Sequence, residues 1–115
     1  MGLISTLKWL YDPRTDEQKA YDEWNEKTPI QCRTQDLYVF IRGREEPFVV
    51  EFTKTDEVYG DFSLRWASNY KTFISYLEDW IEARWTKGIH VDGVWYSPEM
   101  IERIELGESK LEVLE

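Results

Sequence analysis

The chain has 115 residues, enough for one ordinary domain around a single core. Its 14 basic and 23 acidic residues give a formal net charge of −9, which opposes direct binding to DNA or RNA, where Lys and Arg must replace counterions at phosphates. One cysteine and one histidine exclude an internal disulfide and Cys/His zinc cages, and no apolar run approaches the roughly 20 residues that span a bilayer.

Residues 1–11, MGLISTLKWLY, place Leu3, Leu7 and Leu10 on one helical face and predict a short helix broken at Asp12-Pro13. Gly2 with Thr6 fits the short M-G-x-x-x-[ST] acylation pattern, but no basic cluster beside it supplies a second anchor. The same segment lacks the long apolar stretch of a signal peptide, so the cytoplasm is the expected compartment. Thr15 then opens a capping box with Gln18, predicting a surface helix to about Asn25. Its apolar stripe is narrow (Ala20, Tyr21, Trp24), and Thr28-Pro29 ends it.

From Ile30 the period becomes two. Leu37, Val39 and Ile41 alternate with Tyr38, Phe40 and Arg42, and a return strand runs from Pro47 to Thr53, which predicts a hairpin over 30–54. Asp56–Gly60 reads as a loop, after which Asp61 or Ser63 caps a long amphipathic helix over about 61–87. At about 100° per residue, Trp66, Tyr70, Phe73, Ile74, Leu77, Trp80 and Ile81 share one broad arc. Gly88 follows as the natural stop.

Residues 89–96, IHVDGVWY, carry Asp92-Gly93, the strongest short signal for a type I′ hairpin turn. Trp95 or Tyr96 is then expected to pack under the central helix. Ser97-Pro98-Glu99 has the form of a helix start. Against that, Ile104/Leu106 and Leu111/Val113 alternate with charge around Gly107-Glu108-Ser109-Lys110. Because Gly107 and Ser109 interrupt a longer helix, a second hairpin is the preferred reading.

Chemistry-bearing groups are few. His90 and Asp92 share a strand face, but no nucleophile or ligand cluster accompanies them, and the turn itself explains Asp92. Cys32 sits in an extended segment without a glycine-rich nucleophile turn and reads as a small half-buried residue. The carboxylates fall in turns, loops or on the solvent side of the helix, so none is predicted to be buried. Phosphate-cradling glycine motifs are lacking. No catalytic residue, metal site or cofactor is therefore expected.

The informative surplus is acidic and aromatic. Glu99, Glu102, Glu105 and Glu108 recur at every third position, followed by Glu112 and Glu115. Tyr21 and Trp24 are flanked by acids, a setting that suits protein interfaces better than phosphate backbones. Glu99, Glu102, Glu105, Glu108, Glu112, Tyr21 and Trp24 are thus the expected partner-binding residues. In general character the short, acidic, aromatic-rich chain resembles many small phage-encoded proteins, including inhibitors of host nucleases, although no motif carries the likeness.

The expected architecture is one α+β domain over 1–115. It comprises a helical N-terminal segment (1–28), a β-hairpin (30–54), the central helix (61–87) and C-terminal β-hairpins (89–115), with the helix packed on one face of an antiparallel sheet. The expected function is a non-enzymatic protein-binding module, a small acidic inhibitor that imitates nucleic acid toward a basic-surfaced host protein. It would bind neither nucleic acid nor membrane and would be a monomer or homodimer. The second expectation is a structural subunit of a larger homo-oligomer.

Overall fold

A computed structural model describes residues 15–114 and shows an antiparallel α+β architecture with two α-helices. The predicted helix over 1–11 and the Gly2/Thr6 pattern lie outside the described residues. Helix α1 (Asp16–Lys27) starts where the capping box places it, with Thr15 Oγ1 accepting the Gln18 N–H at 3.1 Å. It buries no residue and is the surface helix that its narrow stripe predicts.

Strands β1 (Gln31–Ile41) and β2 (Phe48–Thr55) form the predicted hairpin, with Leu37 opposite Val50 and Val39 opposite Phe48. Leu37, Val39 and Ile41 are buried on one face of β1, while Tyr38 and Phe40 on the other are half-buried. That alternation is the period-two pattern expressed as two faces.

The next segment departs from expectation. Residues 56–68 are neither a plain loop nor helix: β3 (Glu57–Tyr59) and β4 (Phe62–Leu64) pair as a small hairpin through Gly60. Helix α2 begins only at Tyr70 and runs to Lys87, capped by Asn69, whose Oδ1 accepts the Thr72 N–H at 3.3 Å, and not by Asp61 or Ser63. The cause is tertiary. The Asp56 carboxylate takes the N–H groups of Ala67 and Ser68 at 2.9 and 3.0 Å, which holds the backbone there outside a helix. Phe62, Leu64 and Trp66 follow a period of two; on a helix Leu64 would fall about 200° from Phe62, so their alternation fits the strand that forms.

Along α2, Phe73 and Leu77 are buried against Leu37, with Phe52 meeting Phe73 edge-on at 5.6 Å. Trp80 bridges this cluster to a second one around Val39, Ile41, Ile89 and Ile101. Gly88 closes the helix at φ 81°, donating its N–H to Arg84 O. No side chain fits there, since a Cβ would lie 2.3 Å from Tyr96 O.

Strands β5 (Ile89–Val91) and β6 (Val94–Tyr96) form the predicted tight hairpin, with Asp92 at φ 51° and Gly93 at φ 80°, the positive pair a type I′ turn needs. Of the two aromatics that follow, Tyr96 packs on the core. Trp95 stays largely exposed and donates its indole N–H to Lys87 O at 3.0 Å.

Ser97-Pro98-Glu99 starts only a single 3-10 turn (Pro98–Met100). The predicted C-terminal hairpin is replaced by one long strand, β7 (Ile101–Val113), antiparallel to β1 from Ile41↔Ile101 to Gln31↔Val113. The main sheet therefore has the order β2-β1-β7. Gly107-Glu108 is a bulge and not a turn: the register passes from Leu37↔Leu106 to Gln35↔Ser109, so two residues of β7 oppose Asp36 alone. Gln35 stabilises it by donating its buried amide Nε2 to Gly107 O at 2.9 Å and Glu108 O at 3.3 Å. The Tyr38 ring lies over Gly107, occupying the space a Cβ would take.

Candidate binding surface

The α2 helix covers one face of the β2-β1-β7 sheet, and the described residues place no helix packed on the other. Cross-strand register assigns that outer face. It carries Asp36 and Tyr38 from β1, Glu51 and Val49 from β2, and Arg103, Glu105, Lys110 and Glu112 from β7. Four carboxylates from three strands thus meet two cations. Asp36 and Glu51 stand directly opposite each other, a like-charge pairing that costs stability in a sheet.

Arg103 stacks over the Phe40 ring at 3.8 Å and pairs with Glu105 at 3.0 Å and Glu102 at 3.6 Å. Both pairs are half in water and contribute little to stability. Their effect is to order two of the carboxylates along the strand. Glu108 and Glu112 have no ion pair among the described residues.

Of the expected partner-binding residues, Glu105 and Glu112 lie on this face, opposite Tyr38 and Cys32. Glu108 sits in the bulge opposite Asp36, Glu102 at the register shift beside Arg103, and Glu99 in the 3-10 turn; all five are exposed. Tyr21 and Trp24 belong elsewhere. Their rings are 5.7 Å apart on α1, Tyr21 exposed and Trp24 half-buried beside the Arg65 guanidinium at 5.8 Å. No hydrogen bond or ring contact among the described residues joins them to β7. Asp36 and Glu51 complete the acidic face, and only strand register could have found them, since each is isolated in the sequence.

Asp56, the one buried carboxylate among the described residues, corrects the expectation that all are solvated. Its Oδ1 accepts from Ala67 and Ser68, and its Oδ2 from the Gln31 N–H at 3.1 Å and the Arg65 guanidinium at 3.3 Å. Burial pushes the carboxyl up, but the hydrogen bonds from Ser68, Ala67 and Gln31 outweigh it and hold it below its ordinary 3.8. Arg65 spends its remaining donors on Asn25 Oδ1 and the carbonyls of Asn25, Thr28 and Pro29. The pair ties the end of α1 and the start of β1 to the segment before α2. With every hydrogen-bonding position engaged, it is a structural clasp with no lone pair or proton left for a substrate.

His90 is exposed on β5 opposite Trp95, and no hydrogen bond joins it to Asp92 among the described residues. Cys32 is half-buried and accepts from Thr55 Oγ1 at 3.5 Å. No group of three or more His, Cys, Asp or Glu able to hold a metal occurs among the described residues, and no described helix is long and apolar enough to cross a membrane. Comparison with protein-family models, curated proteins and solved structures found no match.

Proposed function

We propose that this chain is a non-enzymatic protein-binding module whose working surface is the acidic outer face of the sheet, directed at a basic-surfaced protein. The observation that carries the reading is the placement of Asp36, Glu51, Glu105 and Glu112, from three strands, on one face that no described helix covers. A fold that sets two carboxylates directly opposite each other sacrifices stability, and a cationic partner would return it. With Glu102 and Glu108 beside them, the carboxylates extend along β7 for about 33 Å at the usual rise per residue. That length is close to one turn of duplex DNA, about 34 Å, and suits an inhibitor that occupies a nucleic-acid-binding groove in place of phosphates. The cytoplasm is the compartment this reading assumes.

The test is affinity capture from the native host at low salt, with mass spectrometry of what is retained. A basic nucleic-acid-binding protein that elutes as salt rises, and is lost from a Glu51→Gln/Glu105→Gln/Glu112→Gln variant, supports the reading. Capture of nothing at low salt, or of a partner indifferent to those substitutions, refutes it.

A further inference from the structure

Strand β7 is an edge, and no described strand pairs with its outer side. Edges this long are ordinarily blunted, because a row of free N–H and C=O groups templates pairing with another chain. Here the bulge at Gly107-Glu108 interrupts the edge, but residues 109–113 beyond it run in unbroken register with β1. Leu111 and Val113 are 45% and 58% exposed there, on the same sheet face as Arg33, which lies over the Tyr70 and Phe73 rings of α2.

Backbone direction can be read from one bond. The Leu114 N–H donates to Ile30 O at 2.9 Å, so Leu114, Glu112 and Lys110 point their polar groups inward to β1. By alternation, Ser109, Leu111 and Val113 point theirs out into the free edge. We propose that this edge pairs with the same edge of a second copy, antiparallel about a two-fold axis at Leu111. Glu112 belongs to this edge as well as to the acidic face, but self-association needs no basic partner, so the two readings fail separately.

Charge selects that register. With the axis at Leu111, each Lys110 lies opposite Glu112 of the other copy, Leu111 meets its own copy, and Val113 meets Ser109. Moving the axis one residue toward Gly107 sets Lys110 against Lys110, and one residue the other way sets Glu112 against Glu112. Moving it to Ser109 drives the incoming strand into the bulge. The Leu111 register alone matches outward N–H and C=O groups, unlike charges and apolar side chains at once. The product is a continuous sheet in the order β2-β1-β7-β7-β1-β2, with both α2 helices on one side.

Sedimentation velocity of the full chain, from micromolar to millimolar, tests this. The expected result is a concentration-dependent dimer. Lys110→Glu should weaken it by roughly tenfold, since both cross-strand pairs become repulsive. Lys110→Glu/Glu112→Lys should restore it, because the pairs re-form with their signs exchanged. Leu111→Pro removes an outward N–H without touching the β1 ladder and should leave a folded monomer. If that variant does not fold, the charge exchange decides alone. A concentration-independent wild-type monomer, a dimer that survives folded Leu111→Pro, or an exchange that fails to restore it overturns the proposal.

Discussion

The Asp56 carboxylate and the Arg65 guanidinium meet at 3.3 Å with side-chain exposures of 0% and 4%, joining the start of the β3–β4 hairpin to its end. Removing one member of such a pair leaves the other charged and unpaired in a dry site. Asp56→Ala should therefore destabilise the fold by about 3–5 kcal/mol, read from urea or guanidinium unfolding. An effect below about 1 kcal/mol would mean that the clasp is as dispensable as a surface pair.

The same carboxyl sets a pH dependence. Because its native pKa lies below the ordinary 3.8, folding favours the ionised form, and the stabilisation is complete above the unfolded value. It is lost as pH falls through the lowered native value. Wild-type stability should fall on acidification below about pH 4, and Asp56→Asn should remove that component of the slope. Parallel pH profiles for the two proteins would count against this assignment.

Gly88 joins α2 to β5 in a left-handed conformation, with the Tyr96 carbonyl where a Cβ would be. Gly88→Ala adds backbone strain of about 1–2 kcal/mol to that collision with rigid backbone. A total loss of at least about 2 kcal/mol is expected, seen as a lowered Tm and early hydrogen exchange in β5 and β6. Gly93→Ala meets nothing within 4 Å and should cost only the backbone strain.

Gln35 provides a test of the bulge. Replacing it with Leu leaves the carbonyls of Gly107 and Glu108 without its amide, at a cost of about 1–3 kcal/mol. Exchange should accelerate in residues 106–110 before it does in the rest of β7. Uniform protection along the strand would show that the bulge holds without its amide.

Glu51 separates stability from binding. Opposite Asp36 it is a like-charge pair, so Glu51→Thr should raise stability by about 0.2–1 kcal/mol while weakening capture of a basic partner. A stabilised variant that binds undiminished would remove Glu51 from the working surface.

Local signals in the chain were sufficient for part of its local structure. Thr15 with Gln18 set the start of α1, Asp92-Gly93 set a turn, Gly88 set a helix end, and the alternation around Leu37 set a strand and its buried face. Each depends on residues within a few positions of one another, where backbone sterics and short hydrogen bonds decide. The parts that needed the tertiary structure are those decided by distant partners. Asp56 holds residues 67 and 68 away from the helix that their apolar spacing permits. Gln35 and the full length of β1 turn Gly107-Glu108 into a bulge where isolated preference suggests a turn. The acidic face has the same origin: Glu105 and Glu112 are visible as a charge pattern, but Asp36 and Glu51 join them only through strand register, because pairing across a sheet ignores separation along the chain.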